Sequence, residues 1–368
     1  MFERNDIVVF LRVVQGCNLN CSHCFTLGNQ DQILTTPFEY VEKFLTAIKK
    51  NVDPTRGTVY LHGGETFLAK LDYLKQVTSL VHELYGDSFG IIPQTNLIYT
   101  IDQEYIDFIK NHCDGHIGVS WDAKIRFGSI KTEHTLKQEK LFFDNLKLLI
   151  AEGIKVHIGI TVQKHLFEYG AHEVARMFEG VNSIDFEHLS VFNETTEKLR
   201  PNLVQWANWL DKLTDYYQHN EVSWCMPQID LFVKSIEDGQ TYQCKCNCCD
   251  RRTFTLNPNG TTGFCPDNSY IDPSSHVNVA HENWELFTEK AHEAFIHRLS
   301  TLNTENCFSC EHYNECGGNC EDTLFDGSGE CPLSKRTIAR IKENHQVFLD
   351  LLQNRSTKNL LEFTKGTP

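Results

Sequence analysis

Between Asp6 and Leu189 the chain repeats one pattern six times: a short run rich in β-branched and aromatic residues, followed by a longer stretch with helical spacing. The runs are DIVVFLRVV (Asp6 to Val14), GTVYLHG (Gly57 to Gly63), FGIIPQT (Phe89 to Thr95), HIGVSWD (His116 to Asp122), KVHIGITV (Lys155 to Val162) and SIDFEHL (Ser183 to Leu189). Between them, LKQEKLFFDNLKLLIAEG sets Leu141, Phe142, Asn145, Leu148 and Leu149 at i, i+3, i+4, i+7 spacing, with Gly153 as its C-cap. Strands joined by helix-length crossovers pair in parallel, which predicts an α/β fold and an open or partly closed barrel of six βα units. Chemistry on such a fold gathers at the C-terminal ends of the strands.

The pattern stops near residue 200, so residues 1–200 are taken as the barrel and 201–243 as a helical connector. From Cys244 the cysteines become dense, and FTLNPNGTTGFC (Phe254 to Cys265) has an Asn-Gly pair at the turn of a hairpin. Residues 244–335 are therefore assigned to a small cysteine-rich domain and 336–368 to a C-terminal helix and tail, the helix running from Leu333 to about Leu361.

Charge and cysteine usage limit the function classes. A formal net charge of −15 disfavours a nucleic-acid backbone as partner. No apolar run approaches the length of a membrane span. The start, MFERNDIVVFLRVVQG, is broken by Glu3, Arg4, Asp6 and Arg12 and offers no signal-peptide cleavage site, so the expected location is cytoplasmic, with no membrane association. In that reducing compartment, metal ligation is a better use of 15 cysteines than disulfides.

Three of those cysteines, Cys17, Cys21 and Cys24, share the loop GCNLNCSHCFT after the first predicted strand. A thioredoxin-like pair at Cys21 and Cys24, or a zinc site, are the simpler readings. A redox pair has no need of Cys17, and a closed zinc site wants a fourth ligand. Three thiolates on a four-iron cluster leave one iron open to a cofactor or substrate. The CxxxCxxC spacing at the end of a first barrel strand resembles the signature of the radical S-adenosylmethionine (SAM) enzymes. That resemblance implies a partial (β/α)6 TIM-like barrel in which Cys17, Cys21 and Cys24 hold a SAM-binding [4Fe-4S] cluster.

Later strand ends fit the same resemblance. In HGGETF, Gly63 and Gly64 would allow close backbone approach and Glu65 would accept a hydrogen bond from the SAM ammonium, although Thr66 replaces the usual proline. QTN (Gln94 to Asn96) ends the third strand, with Leu97 where relatives have glycine. VSWD resembles the family's SLDG, making Ser120 and Asp122 candidates for SAM or substrate contacts; the competing role for Asp122 is a helix N-cap. His23 stands where relatives usually place an aromatic residue near the adenine.

The series Cys249, Gly260, Cys265, Cys307, Cys310, Cys316, Cys320 and Cys331 is similar to the seven-cysteine SPASM extension, which carries two auxiliary [4Fe-4S] clusters. Structural zinc is the alternative for such CxxC pairs. By analogy Cys249, Cys265 and Cys320 hold the first auxiliary cluster, completed by Cys244, Cys246 or Cys248. Cys307, Cys310, Cys316 and Cys331 hold the second. Cys113 and Cys225 read as buried small residues.

The resemblance implies three [4Fe-4S] clusters, SAM, and an external electron donor of flavodoxin or ferredoxin type. Cleavage of SAM would yield a 5′-deoxyadenosyl radical that abstracts hydrogen from a substrate. SPASM enzymes mostly modify peptides or proteins, and the reading drawn is a peptide maturase forming a carbon–carbon or thioether crosslink in a ribosomal peptide. A sulfatase-maturing, formylglycine-generating enzyme is the alternative, although its proposed base directly follows the cysteine at the Cys265 position and Asp267 is displaced by one residue. Asp267 and Asp272 are the candidate bases, against the plainer reading as turn aspartates. Further alternatives are a SPASM dehydrogenase of a small alcohol and a non-catalytic iron–sulfur or zinc protein. With 16 residues before Cys17, leader recognition is expected to use a separate leader-binding protein or another surface.

Overall fold

The computed structural model describes residues 6–24, 33–127, 132–239, 252–263, 277–278, 289, 306–318, 325–333 and 335–355. Strands β1 (Asp6–Val14), β2 (Arg56–Gly63), β3 (Phe89–Thr95), β4 (His116–Ser120), β5 (Lys155–Val162) and β6 (Ser183–His188) lie where the β-rich runs predict them. Only β4 is materially shorter, because the chain leaves the strand at Trp121 and buries that ring at 2% exposure.

The chain divides into two units, Phe2–His157 with Cys249–Ile296, and Ile158–Cys248 with His297–Pro368; it passes from one to the other within β5. In the first unit the sheet order is β4-β3-β2-β1-β7-β8-β9, where β7 is Thr253–Leu256, β8 Thr261–Gly263 and β9 Val277–Asn278. β1, β2, β3 and β4 pair in parallel with their neighbours, and β7 adds in parallel to β1. The β7–β8 hairpin forms around the expected turn, with Gly260 at φ +84°. Its pairing with β1 makes it a continuation of the βα sheet rather than part of a separate domain beginning at Cys244. The cysteine spacing that suggested a boundary there carries no information about which sheet edge β7 completes.

Strands β1 and β2 separate two environments. Ile7, Val9, Leu11 and Val13 of β1 and Val59 and Leu61 of β2 are fully or nearly fully buried. They match the apolar stripes of α1 (Phe38–Val52), which buries Val41, Phe44, Leu45 and Ile48, and α2 (Leu71–Tyr85), which buries Leu74, Val77 and Val81. The alternate row is aromatic and polar: Phe10 stacks on Tyr60 at 5.1 Å, and His62 meets Phe10 edge-on at 6.1 Å. Helix α3 (Gln103–His112) is capped by Asp102, and α4 (Glu133–Ala151) by Thr132. The buried face of α4 carries Phe142, Asn145, Leu146 and Leu149, while Leu148 is 37% exposed.

The second unit holds β6, α5 (Ala171–Met177), α6 (Glu194–Glu197), α7 (Leu203–His219) and α8 (Pro227–Asp238), followed by α9 (Tyr313–Cys316), α10 (Lys335–Glu343) and α11 (His345–Arg355). The single C-terminal helix expected from the sequence is two helices, broken at Asn344, whose side chain donates to Arg340 O at 3.0 Å. Among the described residues no helix is long and apolar enough to cross a membrane.

Candidate active site at the cysteine loop

The loop carrying Cys17, Cys21 and Cys24 leaves the C-terminal end of β1 and is clasped at its base. Gln15 N donates to Leu34 O and Thr36 N to Val13 O, both at 2.9 Å. The β1–β2 register slips between Arg12 and Val14, so one extra residue bulges just before the loop and turns it away from the strand axis. The two glycines of HGGE seat against this turn. Gly63 has φ +147°, and a Cβ there would lie 2.1 Å from Val14 O; a Cβ on Gly64 would lie 2.1 Å from Gly16 O. Gly64 N and Glu65 N donate to Val14 O and Gly16 O, each at 2.9 Å. These glycines permit a close approach to the cysteine loop's own backbone.

Glu65 makes hydrogen bonds within the chain. Its side chain turns inward at 1% exposure, and its oxygens accept from Phe67 N at 3.1 Å, Thr95 Oγ1 at 2.8 Å and Asn96 N at 2.7 Å. Burial pushes its pKa up to about 6, against the opposing pull of those hydrogen bonds. The carboxylate ties the end of β2 to the end of β3. Asn96 passes the tie on: its Nδ2 donates to Asn18 Oδ1 at 2.7 Å and approaches Cys17 Sγ at 3.7 Å, while Asn18 Nδ2 donates to Ile98 O at 2.6 Å. Leu97 takes the left-handed conformation, φ +59°, at the position where the resemblance expects glycine. Such a backbone costs a non-glycine residue roughly 1–2 kcal/mol. Asn145 of α4 holds it in place, donating to Leu97 O and Tyr99 O at 2.8 Å each.

At the end of β4, Ser120 accepts from Gln94 Nε2 at 2.9 Å, and the Gln94 side chain lies over Gly118 so closely that a Cβ there would meet Oε1 at 2.0 Å. Among the described residues Asp122 caps no helix; the N-cap of α4 is Thr132. It is 1% exposed, and its Oδ2 takes Arg126 Nη2 at 2.5 Å, Arg126 Nε at 3.0 Å and His23 Nε2 at 3.2 Å. His23 sits between Cys21 and Cys24, so this network joins the cysteine loop to β4. Arg126 escaped the sequence reading; its one signal was the i, i+4 spacing from Asp122, which is common on any surface helix.

The three thiols suit a metal cluster. Burial raises the pKa of Cys17 and pushes that of Cys21 up to about 12, while the Arg126 charge works against the rise at both. A bound metal replaces the thiol proton, removing that penalty. Leu19 N donates to Cys17 Sγ at 3.4 Å, a hydrogen bond of the kind that steadies cluster sulfurs, and Cys24 N donates to Cys21 O at 3.1 Å, closing the turn between those two thiols. Among the described residues no three His, Cys, Asp or Glu side chains are arranged for a single metal ion.

The structure therefore gathers Cys17, Cys21, Cys24, His23, Gly63, Gly64, Glu65, Asn96 and Asp122 around one loop, with Ser120 on the neighbouring strand end. Of the C-terminal candidate ligands, Cys307, Cys310, Cys316 and Cys331 are described. Cys310 N donates to Cys307 O at 3.1 Å, Cys316 N to His312 O at 3.0 Å and Lys335 N to Cys331 Sγ at 3.2 Å. Cys244, Cys246, Cys248, Cys249, Cys265 and Cys320, and the candidate bases Asp267 and Asp272, lie outside the described residues. Cys113 and Cys225 are buried, at 0% and 3% exposure.

Residues 6–131 match the family described as a 4Fe-4S single cluster domain. An uncharacterised protein of Archaeoglobus fulgidus is 20% identical over 376 residues, covering 99% of this chain and 86% of that one. Among solved structures, the anaerobic sulfatase-maturating enzyme anSMEcpe with bound AdoMet and Kp18Cys peptide is 20% identical with a TM-score of 0.73, covering 95% of this chain and 99% of that chain. SuiB of Streptococcus suis bound to its precursor peptide SuiA is 17% identical with a TM-score of 0.60, covering 90% of this chain and 76% of that one. The chain has the fold of these proteins, the radical SAM partial barrel with a C-terminal domain.

Proposed function

We propose that this chain is a radical SAM maturase of the SPASM type, acting on a peptide or protein. The observation that carries the reading is the cysteine loop itself: three half-buried thiols after β1, held by a glutamate, an asparagine and two glycines from the next strand ends, on a fold shared with SAM-binding structures. Cys17, Cys21 and Cys24 would hold a [4Fe-4S] cluster, which with SAM bound supplies a 5′-deoxyadenosyl radical for hydrogen abstraction. The chain's own residues orient and enclose: Glu65 and Asn96 fix the loop, and Phe10, Tyr60, His62, Gln94 and Ser120 line the sheet face opposite the helices. Burial and the Arg12 charge push the His62 pKa down to about 3, so that face presents a neutral imidazole at physiological pH. A Cβ added to Gly90, on the same strand and in the same row as Gln94, would meet nothing within 4 Å, which leaves room for a side chain entering from outside. Two auxiliary clusters, an external electron donor and a carbon–carbon or thioether crosslink as the product complete the proposal.

Formylglycine formation is the second reading, favoured by the near-complete coverage of the sulfatase-maturating enzyme against about three-quarters of SuiB. The test is anaerobic reconstitution with SAM and candidate peptides. Roughly twelve irons per chain and reductive SAM cleavage are expected, and the Cys17→Ala, Cys21→Ala, Cys24→Ala triple variant should lose about a third of the iron and all cleavage. Retained cleavage in that variant would refute the assignment. A product lighter by two hydrogens that resists fragmentation across two residues and ignores hydrazine is a crosslink; a hydrazine-reactive product is formylglycine.

A further inference from the structure

We propose that Arg126 is a positioning residue for the cluster held by Cys17, Cys21 and Cys24: through Asp122 and His23 it is tied to the cysteine loop, and its buried charge raises that cluster's reduction potential. The inference rests on the radical SAM reading above. It deepens that reading by assigning a residue that neither the signature motifs nor the fold likeness points to.

The geometry is specific. Arg126 and His23 share one oxygen of Asp122, and His23 lies within the cysteine loop, so the guanidinium cannot move far from the thiols without breaking a buried ion pair. The Arg126 side chain is 12% exposed and that of Asp122 1%, so the pair sits where charges are weakly screened. Burial alone would lower the Arg126 pKa; Asp122, Cys21 and Cys24 outweigh it and keep the group charged. The same charge reaches Cys17, Cys21 and Glu65.

A cluster bound by three thiolates gains negative charge when it is reduced. A fixed cation beside it stabilises the reduced form and a fixed anion stabilises the oxidised form, as charge tuning of iron–sulfur potentials requires. Arg126 and Asp122 therefore push the potential in opposite directions. Looser packing of the loop would give no such opposition of sign, and this separates electrostatic tuning from a merely structural role.

The test uses the anaerobically reconstituted full chain in an EPR-monitored redox titration, following the reduced signal that changes when SAM is added. Arg126→Gln should lower the midpoint potential, shifting the reduced-to-oxidised ratio at fixed potential about tenfold, or about 59 mV for one electron. Asp122→Asn should raise it, and Arg126→Lys should stay near the parent. If Arg126→Gln incorporates less iron, the opposite shifts of Asp122→Asn and the rescue by Arg126→Lys carry the test. An unchanged potential in Arg126→Gln, or shifts of the same sign in Arg126→Gln and Asp122→Asn, would overturn the role of Arg126 alone. Absence of any SAM-dependent signal in the parent chain would overturn the radical SAM reading and this inference with it.

Discussion

The N-terminal and C-terminal cysteine groups are built on different physical plans. Cys17, Cys21 and Cys24 sit in a loop whose backbone and neighbours are fixed by residues distant in sequence: Val14 and Gly16 by Gly64 and Glu65, Cys17 and Asn18 by Asn96, His23 by Asp122. Cys307, Cys310 and Cys316 are joined by hydrogen bonds between residues three to four apart, in turns and the single-turn helix α9. Cys331 stands just before α10 in a segment anchored on α7, where Trp206 Nε1 donates to Pro332 O at 2.8 Å and Leu203 N to Asp326 Oδ2 at 3.0 Å. A site framed by strand ends keeps its shape without metal. One framed by short turns would draw more of its order from a bound metal, because fewer long-range hydrogen bonds offset its chain entropy.

The largest expected effect follows from removing the metal. Treating the reconstituted chain with a reductant and an iron chelator should open residues 307–331 to protease and to fast amide exchange, while β1, β2 and β3 stay protected. Loss of protection in β1 and β2 before the 307–331 segment would break the comparison.

A smaller effect sharpens it. Asn145→Ala removes the donor for two buried carbonyls and should cost the first unit about 2–4 kcal/mol, read as a lower denaturant midpoint. The left-handed Leu97 should relax in the same variant, seen as faster amide exchange between Leu97 and Tyr99. The 307–331 segment should be unaffected.

The smallest effect is a pH dependence. The folded pKa of Glu65, about 6, lies above its ordinary value of 4.5, so the folded chain binds the proton more tightly than the unfolded chain does. Stability should therefore fall as pH rises from about 4.5 to 6, by about 2 kcal/mol, and Glu65→Gln should flatten that slope. The check is a set of urea midpoints for the metal-free parent and variant across that window. Equal slopes would show that the Glu65 carboxyl titrates normally.

The strands were legible because each is a short apolar or aromatic run bounded by polar turns, and in a parallel sheet such a run is needed simply to fill both faces. The three-cysteine loop was legible for a similar local reason, since its spacing survives whatever surrounds it. The orientation of Glu65 was not. Its identity does not reveal the partners it meets within the chain, Thr95 and Asn96, which the next strand brings to it. Asn145 looked like an imperfection in an apolar stripe and proves to be the residue that satisfies the turn after β3.

The sequence by itself determined the six βα units, the place of the cysteine loop at the end of β1 and the seven-cysteine array. All of these are encoded by residues near one another along the chain. Tertiary structure alone decided that Gly63 and Gly64 face the cysteine loop, that β7 extends the sheet beside β1, and that Asp122 serves Arg126 and His23. Apart from the local Asp122–Arg126 pair, these pairings span 49 to 245 residues of chain in Val14 with Gly63, His23 with Asp122 and Val8 with Thr253. A buried carboxylate or a bare backbone can take several partners, and the one it meets is set by which strand ends the sheet brings together.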